Sequence, residues 1–308
     1  MKTIAPPSPI DVVLAEYQQH LSNAAGLTPA SCKAQAFYVR SFLSAQFKRN
    51  SLTLDWNEIT AAVLLDYLRT ERAGHSLSRL QCLASALRSF CRFLCVSGRC
   101  SMDLSGALPQ VGSQEQAELP TYLSESQLEQ LLNSFDRQGH AVQRDHAIVL
   151  CLSRLGLRAG EVAGLNLEDI DWRNGTLRLA KTKGRRVRHL PLPAAVGRAV
   201  AKYLKESRGK SASRAVFISL RNGGRLSSNA VSALTVTAFQ RAHLTTPHPG
   251  ARRLRHTVAS HLVQRGASLK AVADLLGHRS LNTTQVYAKV NLPMLREIPL
   301  PWPQEVRK

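Results

Sequence analysis

Four phrases of the sequence hold the side chains that could do chemistry. They are Gly156-Leu157-Arg158-Ala159-Gly160-Glu161, the run from Arg178 to Arg188, Arg252-Arg253-Leu254-Arg255-His256-Thr257, and Gly277-His278-Arg279 through Tyr287. A tyrosine hydroxyl is a poor nucleophile unless its neighbours manage its charge, and cations are what manage it. Arginines, a histidine and a tyrosine in this order suit attack on a phosphodiester without a metal. Arg158 projects from a turn that flanking glycines permit, although by itself it reads as an ion-pair partner of Glu161 or Asp169. The second run carries six cations and no carboxylate: Arg178, Lys181, Lys183, Arg185, Arg186 and Arg188. Such a run is usually a solvated edge. It is also a compact way to push a lysine, whose proton is removable where arginine's is not, toward a phosphate. Arg252, Arg255 and His256 open a helix after Pro247-His248-Pro249-Gly250 and are read as sharing one flank. Cations at a helix start oppose the dipole unless an anion is bound there.

Helical and strand periods define the elements that must position these groups. Residues 10–24, 28–48, 61–72 and 76–97 read as four helices, with Val12, Val13, Tyr17 and Leu21 on the first. Ala34, Phe37, Tyr38, Phe42 and Phe47 form the stripe of the second, Leu64, Leu65 and Leu68 that of the third. Leu80, Leu83, Leu87, Phe90 and Leu94 mark the fourth, which Gly98 stops. Residues 101–119 read as a linker. Helical patterning returns at Ser124-Glu125-Ser126-Gln127, a capping-box start, and over 144–155. Thr176 to Leu179 and Val187 to Leu190 alternate as two strands. Helices are expected near 194–206, 228–243, 252–265 and 268–276. Gly277 fits a C-cap, and Asn282 or Thr283 an N-cap for the helix holding Tyr287. The fold class is therefore mainly α with a small β-sheet.

The formal charge of +20 points to a polyanionic partner, nucleic acid ahead of membrane. The charge is uneven: residues 1–110 carry 11 Lys+Arg against 7 Asp+Glu, and residues 111–308 carry 30 against 14. Met1 to Pro9 shows no secretory h-region, and no run is long enough to span a membrane, so a cytoplasmic setting is expected. The six cysteines do not read as a disulfide scaffold. Cys82, Cys91 and Cys95 sit in an apolar helical stretch as small buried hydrophobes, and zinc is disfavoured. No Walker motif and no carboxylate cluster at metal-ligand spacing is visible, so no cofactor is expected.

Together these phrases resemble the tyrosine recombinase (phage integrase) family over about residues 118–290. The family pattern of Arg, hairpin Lys, His-x-x-Arg, His or Trp, and a Tyr nine residues later is matched by Arg158, Lys183, Arg255, His278 and Tyr287. Lys183-Gly184 leading to Leu190-Pro191-Leu192 is similar to the family's turn and strand, and Leu254-Arg255-His256-Thr257 and Leu275-Leu276-Gly277-His278 are among its most specific phrases. Arg252 stands where the family has the first histidine. It can hydrogen-bond a phosphate oxygen but cannot accept a proton.

The resemblance implies an all-α, SAM-like core-binding domain over residues 1–110 and an α+β catalytic domain over 118–308, as in Xer-like two-domain recombinases. It further implies double-stranded DNA as substrate, a 3′-phosphotyrosyl intermediate at Tyr287, and a tetramer on DNA, with related recombinases as further partners and a mobile element served. Arg158, Arg252, Arg255 and His278 would hold the phosphate and Lys183 would protonate the leaving oxygen. The apolar, proline-rich tail with Leu292, Leu295 and Trp302 would either dock on a neighbouring protomer or pack on its own domain. A catalytically weak DNA-binding accessory protein is the alternative, and a type IB topoisomerase a more distant one.

Overall fold

Capping residues fix where the first four helices begin. The computed structural model describes residues 8–47, 54–110, 121–135, 139–179, 187–277, 284, 286 and 287. Helix α1 spans Pro9–Asn23, α2 Pro29–Gln46, α3 Ala61–Gly74 and α4 Leu77–Val96. The side chains of Ser8, Thr28, Thr60 and Ser76 each accept the amide hydrogen three residues on, and Pro9 and Pro29 take the first helical positions. These helices belong to the first of two units, residues 1–115 and 116–308.

The first unit closes over Tyr17, Leu21, Val39, Phe42, Leu43, Leu64, Leu83, Leu87 and Phe90. Tyr17 satisfies its buried hydroxyl by donating to Gln35 Oε1 at 2.8 Å. The expected stripe of α2 is partly wrong. Phe37 is 59% exposed and Ala34 is exposed, while Cys32, Ala36, Val39 and Leu43 face inward with Phe42. Small residues at positions 32 and 36 let α2 approach its neighbours α1 and α4, which a phenylalanine at either of those two positions would prevent. Cys91 is buried as expected, but Cys82 is exposed and Cys95 only half-buried.

The second unit is built on α6 (His140–Leu155), buried at every position from Ala147 to Leu155 except Arg154. Around it lie α5 (Glu125–Asn133), α7 (Ala159–Gly164), α8 (Ala194–Glu206), α9 (Ser228–Arg241), α10 (Ala251–Gln264) and α11 (Leu269–Leu276). Ser124 and Gln127 form the reciprocal capping box expected at α5. The sheet has three antiparallel strands in order β1 (Ile170–Asp171), β2 (Thr176–Leu179), β3 (Arg188–Pro191). Strand β1 has two residues, too few to show a period, which is why sequence reading yields two strands. In β2–β3, Leu177 faces Leu190 and Leu179 faces Arg188, so Arg188 shares the inward face with Leu190. No helix among the described residues is long and apolar enough to cross a membrane.

Candidate active site

Gly156 ends α6 in the left-handed region, φ +62°, and turns the chain directly beneath α11. A Cβ at Gly156 would lie 2.7 Å from Leu276 Cδ2, so a larger residue there would have to displace that side chain as well as adopt a left-handed backbone. Two residues on, Arg158 caps α7. Its backbone N–H donates to Glu161 Oε2 at 2.8 Å and its Nη1 to Oε1 at 2.9 Å. The pairing expected from sequence is present, yet it does not use up the arginine. Arg158 also donates to the carbonyls of Leu276 (3.4 Å) and Gly277 (3.3 Å).

The C-terminus of α11 gathers two more guanidinium groups. Arg255, buried in the middle of α10, donates to Gly156 O at 2.7 Å and to Leu276 O at 2.6 Å. Arg188 donates from β3 to Leu275 O at 2.6 Å and to Glu161 Oε2 at 2.8 Å. The last carbonyls of a helix have no intrahelical partner and carry the negative end of its dipole, so α11 is a suitable anchor for cations. Gly277 closes α11 at φ +64°, and a Cβ there would meet Arg188 Nη1 at 2.7 Å. This is the C-cap expected from sequence, with a packing reason added.

Two of these guanidinium groups, Arg158 and Arg188, pair with one buried carboxylate, Glu161, and Arg255 lies within its field. Burial, reinforced by repulsion from Arg158, pulls Arg255 down to about 10, against the attraction of Glu161. Burial likewise lowers Arg188. Both stay charged at neutral pH, and the excess positive charge suits an anion with several oxygens.

Tyr287 is 2% exposed and packs on Ala259, Val263, Val272 and Leu276. Its hydroxyl lies 2.7 Å from His256 Nδ1. Burial raises the phenol above its usual value of 10, while Arg255 and Arg252 pull the other way. Arg252, exposed in the first turn of α10, donates from Nε to His256 Nε2 at 3.3 Å.

Of the expected site residues, Arg158 and Arg255 meet on one carbonyl, and Tyr287 lies within the field of Arg255. Arg252 reaches the tyrosine through His256. The expected common flank is corrected: neighbouring residues sit about 100° apart around a helix, so Arg255 turns to Gly156 and α11 whereas His256 turns to Tyr287. Lys183 and His278 lie outside the described residues, as do Lys181, Arg185, Arg186, the N-cap expected at Asn282 or Thr283, and the tail. Arg178, 55% exposed, lies 3.7 Å from Asp169 rather than in the cluster. Sequence reading named Arg188 only as one cation of the hairpin run, Glu161 only as an ion-pair partner of Arg158 and His256 only as a cation at the start of a helix, and gave none of them the position seen here. The Arg188-x-Leu190 alternation was the available signal for the first, since it puts the arginine on the buried face of its strand. Among the described residues no group of three or more His, Cys, Asp and Glu side chains is gathered as a metal site.

The phage integrase family profile matches residues 121–292. The chain is 34% identical over 303 residues to the putative integrase/recombinase y4rA of Sinorhizobium fredii, covering 98% of this chain and 73% of that protein. It is 32% identical over 291 residues to the tyrosine recombinase XerC of Oceanobacillus iheyensis, covering 92% of each. Among solved structures, XerH site-specific recombinase in a post-cleavage complex with palindromic difH substrate superposes with a TM-score of 0.71 at 21% identity, covering 92% of this chain and 83% of that one. A lambda integrase(75-356) dimer bound to a COC′ core site gives 0.68 at 18% identity, covering 88% and 96%. These two are likenesses of fold.

Proposed function

This chain belongs to the phage integrase family of tyrosine recombinases, and from that premise we propose that it cuts and rejoins double-stranded DNA at specific sites through Tyr287. The Tyr287 oxygen bonds to the scissile phosphorus as the P–O5′ bond breaks, giving a 3′-phosphotyrosyl link and a free 5′-hydroxyl. A 5′-hydroxyl of a second strand reverses the step, so bond energy is conserved and neither metal nor ATP is required. Arg158 and Arg255 hold the non-bridging oxygens as charge builds. The Arg158 contacts to α11 are long, 3.3–3.4 Å, which suits a guanidinium that turns to an arriving phosphate. Lys183 protonates the leaving 5′ oxygen and His278 adds a hydrogen bond. Residues 1–110 serve as the core-binding domain and 118–308 as the catalytic domain, with four copies acting on two duplexes in the cytoplasm, in the service of a mobile element.

The convergence of Arg158, Arg188 and Arg255 at the end of α11, with the charge of Arg255 also reaching Tyr287, carries this reading. It supports a site made for a phosphate beside a phenol. The test is covalent trapping on a nicked duplex selected from a random pool for tight binding to the full chain. Wild type should form a denaturant-resistant adduct, and Tyr287→Phe none, with DNA affinity nearly unchanged. Wild type that binds but never forms the adduct would favour a non-catalytic DNA-binding protein of the same fold. Equal adduct from both would remove Tyr287 from the mechanism.

A further inference from the structure

Tyr287 does not sit alone against its hydrophobic bed. His256, Ala259 and Val263 follow one another at helical spacing along α10, and this face carries the tyrosine. Arg252, one turn before His256, is on the same face and meets the far side of the imidazole. The direction of each hydrogen bond then follows from chemistry. The Arg252 Nε–H can only donate, so His256 Nε2 must accept and carries no proton. The neutral ring therefore bears its hydrogen on Nδ1, and Nδ1–H donates to the Tyr287 oxygen 2.7 Å away.

We propose that His256 is a catalytic residue that stabilises the ionised Tyr287 nucleophile by donating from Nδ1, and that Arg252 is the positioning residue that imposes this tautomer. The proposal rests on the phosphotyrosyl reading above. A donor to the phenol oxygen strengthens as the oxygen becomes anionic, so the contact favours the attacking form over the resting one. His256 keeps its own proton throughout. The phenolic proton passes to water, the Tyr287 oxygen bonds to phosphorus, and the 5′ oxygen leaves with a proton from Lys183. Among the described residues, the charged groups facing Tyr287 are Arg252 and Arg255, both on α10, while Val272 and Leu276 of α11 present only apolar surface. Arg252 thus has a role that a histidine at the same position would fill differently. Its fork reaches His256 Nε2 and turns the neighbouring ring from a proton acceptor into a donor.

Two measurements on the full chain test this. In protein labelled with 15N-histidine, the His256 resonances, identified by their loss in His256→Asn, should show Nδ1 protonated and Nε2 bare at neutral pH. Arg252→Ala should move the ring toward the Nε2–H form. A wild-type ring with the proton on Nε2, or one that Arg252→Ala leaves unchanged, would overturn the role of Arg252. On the nicked duplex described above, His256→Ala should slow adduct formation by roughly 10- to 100-fold, the size of one hydrogen bond to an ionised group, with binding to the same duplex unchanged. His256→Asn places an amide N–H near the position of Nδ1 and should recover most of that rate. If wild type and His256→Ala form adduct equally fast, His256 is not part of the chemistry. If Asn rescues no better than Ala in a folded protein, the donor assignment fails. Failure of the phosphotyrosyl reading itself looks different: wild type then forms no adduct, while the tautomer measurement still reports on the Arg252–His256–Tyr287 chain.

Discussion

Glu161→Gln isolates the charge of one buried carboxylate while preserving its shape. Glu161 Oε2 accepts from the Arg158 backbone N–H and from Arg188 Nη2, both at 2.8 Å, and Oε1 accepts from Arg158 Nη1 at 2.9 Å. A glutamine oxygen at the Oε2 position keeps both bonds but as an uncharged acceptor, and its amide hydrogens then face Arg158 Nη1. Arg188 is 12% exposed at its side chain and cannot turn to water, so it loses about half of a charge-assisted bond, about 1.5 kcal/mol. Arg158, 32% exposed, can rotate into solvent, and its loss is discounted to about 0.5–1 kcal/mol. The total is about 2–2.5 kcal/mol, well short of the about 3–5 kcal/mol for deleting one partner of a buried pair outright. Because both arginines hold the last carbonyls of α11, hydrogen exchange in peptides covering that helix should accelerate by roughly 30- to 60-fold at neutral pH. Millimolar sulfate should recover part of the protection by supplying the missing negative charge. Exchange unchanged without sulfate would refute the idea that Glu161 neutralises the cluster.

Gly277→Ala forces a left-handed backbone on a side chain and drives its Cβ toward Arg188 Nη1, 2.7 Å away. It should cost about 1–2 kcal/mol by denaturant unfolding and slow adduct formation, and an unaltered midpoint would show that Arg188 moves freely. Since burial holds the Tyr287 phenol above 10, only a small ionised fraction exists at pH 7. Single-turnover cleavage should therefore rise by up to about tenfold per unit from pH 7 to 9, and a flat profile would mean that the phenolate is not the attacking form. Binding to duplex DNA should weaken by roughly a thousandfold from about 50 to 200 mM salt if six or more phosphates are contacted. A salt-insensitive affinity would contradict the role given to the 30 cations in residues 111–308.

Much of this protein is settled by local rules. Caps at Ser8, Thr28, Thr60, Ser76 and Ser124, helical stripes and the αL glycine at 277 are decided within a few residues, and the sequence shows them directly. The types and order of Arg158, Arg255 and Tyr287 are equally legible. What periodicity could not decide was which of two overlapping stripes of α2 faces inward, because Phe37 and the Cys32–Ala36 face both repeat at helical spacing. Packing against α1 and α4 chose the smaller residues. The site shows the same division. Arg255 reaches a carbonyl 99 residues away, Arg158 one 118 residues away, and Tyr287 a histidine 31 residues away. Those partners are fixed by how α6, α7, α10, α11 and β3 pack, and no spacing along the chain encodes them. Sequence alone supplied the reactive groups. Tertiary structure decided that Glu161 is shared, that Arg188 points inward, and that His256 stands between Arg252 and Tyr287, because hydrogen-bond direction depends on which atoms face each other across elements.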